Sequence, residues 1–146
     1  VLDVIDRRIV DCLLHDGRAT YAQIGSRVGL SAPAAKRRVD RLRDSGAIRG
    51  FTVLLDPAAL GWRTEAYVQV YCTGTVSPQE LRRSLGRVPE VISACTVSGA
   101  ADALLHMVAT DIPHLEEAME RVRAEPKVER TESVIVLSRL VDRPMS

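Results

Sequence analysis

Apolar residues recur along this chain at two periods, and the change of period divides it. Over residues 3–15, Ile5, Ile9 and Leu13 fall four apart and predict an amphipathic helix. Asp3 can cap it, while Asp6 occupies the capping-box position and favours the positive end of the helix dipole. Asp16-Gly17 ends it. Thr20 and Gln23 repeat the capping-box spacing, and Ile24 and Val28 give a second short helix its stripe. Gly29 supplies the left-handed residue that stops it, Leu30 plugs the corner, and Ser31 caps a third helix with Pro33 in its first turn. That helix turns Ala35, Val39 and Leu42 inward and ends at Gly46. Two helices joined by a glycine-containing turn is the helix-turn-helix layout.

Residues 48–55 (IRGFTVLL) switch to strand character, and Asp56-Pro57 breaks them. A strand beside three helices has no partner in its own module. It is expected to pair with the same strand of a second subunit, the competing reading being a plain linker. From Glu65 the order is strand, helix, strand, strand, helix, strand. Residues 65–73 alternate Ala66, Val68, Val70 and Cys72 against Tyr67, Gln69 and Tyr71. Ser77 caps a helix with Pro78 first and Leu81, Leu85 and Val88 as its stripe. Strands follow over 91–97 and 103–109, a helix capped by Asp111 runs to about residue 123, and a long strand covers 128–141. The expected fold is α+β: a three-helix, winged-type helix-turn-helix (1–47), a strand hinge (48–62) and a ferredoxin-like βαββαβ domain (63–146). Strands 103–109 and 133–141 read as apolar on both faces, so the face without helices is expected to be covered by a second copy.

Charge changes this picture more than composition does. The whole chain of 146 residues carries only +1. Residues 1–63, however, hold 11 Lys/Arg against 7 Asp/Glu, a net +4, and residues 64–146 hold 9 against 12, a net −3. A basic module on a more neutral body fits nucleic-acid binding. The positive charge concentrates in residues 36–43 (KRRVDRLR), where Lys36, Arg37, Arg41 and Arg43 cannot share the inward face of Val39 and Leu42. A solvated charged face is the bland alternative; the position, on the second helix of the two-helix unit, is where recognition helices sit. Cys12, Cys72 and Cys95 are far apart, odd in number and lack CxxC spacing, so buried free thiols in a reducing, cytoplasmic setting are expected, with no metal or cofactor. Nothing here has membrane-spanning length.

The whole chain resembles the Lrp/AsnC (feast/famine) family of transcription regulators. The likeness rests on Leu2-Asp3 with Asp6, Asp16-Gly17-Arg18, Leu30-Ser31, Arg38-Val39 with Leu42, residues 46–51 (GAIRGF), Asp56-Pro57 with Leu60-Gly61, and the turn from Gly99 to Asp102. It implies a sequence-specific DNA-binding regulator of amino-acid metabolism. It also implies dimers that assemble further, to octamers, and a small effector, usually an amino acid, held between dimers near the turn joining the second and third strands. Here that turn is Val97, Ser98, Gly99, Ala100, Ala101 and Asp102, with Thr131 and Ser133 as further candidates from the last strand. Many relatives place aromatic residues in and after this turn. Ala100, Ala101 and Ala103 stand here instead, which implies either an enlarged pocket or a lost one.

The expected DNA-binding residues are Ser31, Ala32, Pro33, Lys36, Arg37, Arg38, Arg41 and Arg43. The arginines supply mainly phosphate contacts, and Ala32, Pro33, Lys36 and Arg37 near the helix start read bases. Arg38 has a structural alternative, pairing with an acid such as Asp40 or Asp44. Two other functions stay open at this level. A siroheme-type decarboxylase on the same fold needs histidines around a tetrapyrrole, and His15, His106 and His114 are far apart in sequence, with His106 reading as a core residue. A sensor acting on a protein partner would have no use for the basic helix. No Ser/His/Asp, paired-carboxylate or HExxH arrangement occurs.

Overall fold

In a computed structural model the described residues, 1–145, divide into two compact units: residues 1–54 with 141–145, and residues 55–140. The first contains α1 (Val4–His15), α2 (Tyr21–Val28) and α3 (Ala32–Asp44). Each begins on the cap its sequence offered. Asp3 accepts the Asp6 N–H, Thr20 and Gln23 close a reciprocal capping box, and Ser31 accepts the Ala34 N–H. Ile9, Ile24, Val28, Ala35, Val39 and Leu42 make the buried core.

The α2–α3 corner depends on two glycines. Gly29 has φ +76°, and the chain then runs straight into the Ser31 cap. Gly25, inside α2, lies so close to the corner that a Cβ there would stand 2.3 Å from the Leu30 carbonyl oxygen. The corner therefore packs directly on α2 backbone, which fixes the α2–α3 angle.

The second unit holds β1 (Thr64–Cys72), α4 (Pro78–Leu85), β2 (Val91–Thr96), β3 (Ala103–Ala109), α5 (Ile112–Arg123) and β4 (Val128–Ile135), in an antiparallel sheet of order β2-β3-β1-β4. This is the expected βαββαβ arrangement. Ala66, Val68 and Val70 are fully buried and line up with Met107, Leu105 and Ala103 on β3. Leu81, Leu85, Leu115, Ala118 and Val122 of the helices cover them.

Five expectations fail in detail. Residues 48–55 form no strand, and no wing hairpin follows α3 among the described residues. Ile48 closes back on the helices through its N–H to the Leu42 oxygen, and Phe51, Val53, Leu54 and Leu55 are exposed. A lone extended segment has no ladder to join inside one chain. The last strand stops at Ile135 instead of 141, because one further bond, Val136 N–H to the Glu65 oxygen, uses up the length of β1. The open sheet face is not apolar: Tyr67, Gln69, Tyr71, His106, Arg130 and Glu132 share it with Leu104, Val108 and Val134. Its polar groups pair with one another. Glu65 accepts from His106 at 2.5 Å and from Arg139 at 2.6 Å, and Tyr67 stacks on His106. The Tyr71 hydroxyl reaches Gln69 and Glu132, and Arg130 lies over the Tyr71 ring. His106 thus belongs to this open face and not to the core. Finally, Cys12 and Cys72 are half-buried and Cys95 is exposed, so the thiols are free but not all buried.

Candidate nucleic-acid interface and effector turn

Burial of Ala35, Val39 and Leu42 turns the opposite side of α3 outward. The expected residues on it divide by what they already hold. Ser31 is occupied as the helix cap, with Ala32 half-buried and Pro33 exposed behind it. Lys36 donates to Asp40 at 2.6 Å, an exposed pair one turn apart that raises the lysine pKa. Arg37 is exposed and has no partner among the described residues. Arg43 lies over the Phe51 ring at 5.8 Å, its donors still accessible.

Arg38 and Arg41 differ from these. Arg38 donates to Asp3 at 2.6 Å and to Asp6 at 3.0 Å, and Arg41 reaches Asp6 at 3.3 Å. The side chain of Arg38 is only a quarter exposed. Its charge is engaged by α1, so a free phosphate contact is not what this geometry offers. The structural alternative for Arg38 gains weight, with different partners from Asp40 and Asp44. The Asp6 N–H first, and Arg38 second, hold the Asp3 carboxyl below the usual carboxylate range. The two carboxylates together hold Arg38 above its ordinary value. Asp3 and Asp6 were readable from sequence as helix-start acids, but their reach to a helix more than thirty residues later was not.

In the turn between β2 and β3, Gly99 has φ +106° and Ser98, Gly99 and Ala100 are exposed. Val97 is half-buried, while Ala101 is buried. The Asp102 carboxylate accepts the Cys72 N–H at 2.7 Å and its own N–H donates to the Val70 oxygen at 2.9 Å. Asp102 therefore anchors the turn to β1 where that strand's register shifts, with one carboxylate oxygen committed to that bond. Thr131 and Ser133 sit on the helix-covered side in register with Val70 and Val68. Thr131 accepts from Arg123 at 3.3 Å. Because β1 lies between β3 and β4, these two residues stand about two strand spacings, ~10 Å, from the β3 end of the turn. One chain does not bring the two halves of the expected site together. Beside the turn, a cleft of about 460 Å³ runs between α4 and β2, lined by Leu81, Arg82, Val91, Cys95, Thr96 and Ala103 among others. Among the described residues no cluster of metal-ligating side chains occurs, and no helix is long and apolar enough to cross a membrane.

Two family models match the chain: the AsnC-type helix-turn-helix domain over residues 2–43 and the Lrp/AsnC ligand binding domain over residues 65–146. Among curated proteins, the HTH-type transcriptional regulator Rv2324 of Mycobacterium tuberculosis is 55% identical over 142 residues, covering 97% of this chain and 96% of that one. Among solved structures, the feast or famine regulatory protein of Mycobacterium tuberculosis complexed with L-methionine superposes with a TM-score of 0.92 at 32% identity, over 100% of this chain and 99% of that one. A transcriptional regulator of Neisseria meningitidis in complex with L-methionine gives a TM-score of 0.90 at 27% identity, over 98% and 94%.

Proposed function

The chain belongs to the Lrp/AsnC family of DNA-binding transcriptional regulators, which are not enzymes, and from that premise we propose that it regulates genes of amino-acid metabolism under control of an amino acid. In this reading α3 is the recognition helix. Ala32, Pro33, Lys36 and Arg37 at its N-terminal half face the bases, and Arg37 and Arg43 contact phosphates. The observation that carries it is Arg37: an exposed, unpartnered guanidinium on a helix whose other side is buried. Replacing Arg37 with Ala is expected to weaken DNA binding and to lower the slope of log affinity against log salt by about one, with oligomer size unchanged. Equal affinity and slope, or loss of assembly together with binding, would overturn the assignment.

The effector is an aliphatic amino acid at the exposed turn residues 98–100, completed by a second copy of the chain. Two similar proteins are complexed with L-methionine, which supports this class of ligand. The separation of Thr131 and Ser133 from the turn within one chain supports a shared site. The copies pair as dimers and the dimers assemble to octamers. Titrating L-methionine, L-leucine and L-lysine into the protein while following DNA binding and particle mass tests this. A change in both with L-methionine or L-leucine supports the reading; a response to L-lysine alone, or to none of the three, overturns it.

A further inference from the structure

We propose that Asp6, with Asp3 beside it, positions the recognition helix for base reading, and that Arg38 serves this clamp and not the DNA. The inference rests on α3 being the recognition helix.

Asp6 is the one charged residue of the first unit's described residues that is buried, at 6% exposure. Its carboxylate takes Arg38 at 3.0 Å and Arg41 at 3.3 Å, and Arg38 also grips Asp3 at 2.6 Å. Two carboxylates at the start of α1, one on its cap and one in its first turn, thus hold two guanidiniums nearly one turn apart on α3. Asp3 is at the same time the residue on which α1 begins, so the start of one helix and the roll of another are tied to one side chain. The apolar contacts of α3 come from Ala35, Val39 and Leu42, which are small to medium and non-directional. They hold the helix against the core but constrain its rotation weakly. Charge-assisted hydrogen bonds are directional and supply that constraint. A roll of about 20° moves a side-chain tip by ~2 Å at a helix radius of about 5–6 Å, enough to lose a hydrogen bond to a base edge.

Electrostatics sharpens the point. Asp3 and Asp6 are carboxylates on a domain that approaches a polyanion, so they weaken non-specific attraction. Asp6 is buried while its guanidinium partners are partly exposed, so the pairs add little net stability, and fixing one arrangement of the two helices is the role their geometry suits. A residue that opposes affinity while orienting the reading helix should lower specific binding when it is neutralised, the reverse of what charge alone predicts.

The test uses full-length Asp6→Asn, Asp3→Asn, Arg38→Gln and Arg38→Lys beside the parent and Arg37→Ala. An operator fragment captured from the host genome and an unrelated duplex of the same length are titrated across a salt series. Asp6→Asn and Arg38→Gln are expected to lower the ratio of operator to unrelated-duplex affinity by about tenfold or more, with the salt slope unchanged. Arg38→Lys, which can keep one ion pair, should recover part of that ratio. Asn caps helices as well as Asp, so Asp3→Asn changes only the Arg38 tie and carries the same test if Asp6→Asn does not fold. Operator binding by the Asp variants as tight as the parent's, or tighter, overturns the proposal. So does an Arg38→Gln loss that is equal on both duplexes with the slope falling by about one, which marks a phosphate contact. If Arg37→Ala weakens binding and the clamp variants do not, the clamp alone fails; if none weakens it, the recognition helix fails with it.

Discussion

Glu90, just ahead of β2, is buried at 6% exposure, yet it is charged. One carboxylate oxygen accepts from Arg121 at 2.5 Å and His114 at 2.9 Å, and the other has no partner among the described residues. Arg121 outweighs the burial, and the carboxyl is pulled down to about 2 from an ordinary 4.5. A depressed carboxyl stabilises the fold above its unfolded pKa and loses that contribution as pH falls through the folded one. Between pH 4.5 and about 2 the second unit should therefore lose stability steeply. Glu90→Gln should flatten that window and lower stability at neutral pH, since it removes the ionised carboxylate that Arg121 and His114 hold. Denaturant titrations at several pH values measure both. In the sequence Glu90 is one acid in a Pro-Glu-Val run, and neither Arg121 nor His114 is near it along the chain, so this partnership could not be read there.

Among the elements, the helix-turn-helix was the most legible because its signals are local. Caps, stripes and the Gly29 stop all act within about four residues of themselves. Gly25 was not legible in the same way, since a glycine inside a helix says nothing about what lies against it. Gly25→Ala places a Cβ 2.3 Å from the Leu30 carbonyl oxygen, where backbone must move. Overpacking of this kind costs about 1–3 kcal/mol. Thermal unfolding of the variant should show the first unit melting earlier and DNA affinity falling with it, while the sheet unit keeps its transition. The strands were located well by alternation, but the ends of the first and last connections were not. Residues 49–55 and 137–141 have strand composition but join no ladder among the described residues.

For the whole molecule, those same segments leave Val53, Leu54, Leu137 and Leu140 between 70% and 97% exposed. Apolar side chains so exposed on a segment of each unit, neither in a ladder, are candidates for cover by a second copy. Leu54→Glu with Leu137→Glu should shift the particle toward the monomer, read by sedimentation at micromolar concentration. Unchanged mass would show that these segments are not the contact. The expectation of a self-covering sheet came from counting apolar residues in strands 103–109 and 133–141. The register instead puts Tyr67, His106, Glu132 and Arg130 on the open face. The most exposed apolar side chains lie instead in the flanking segments.

The sequence by itself determined what is short-range: three capped helices, the βαββαβ order, the inward rows of β1 and β3, and the basic outward side of α3. Each follows from spacing within a few residues, where geometry is set by the helix and strand repeats. Only the tertiary structure decided which of those charges are available. Asp3 and Asp6 hold Arg38 and Arg41, Asp102 holds the Cys72 N–H, and Arg37 is left unpartnered. Pairing of ionic groups depends on distances in space between residues some thirty positions apart, and no periodicity in a chain encodes such a distance.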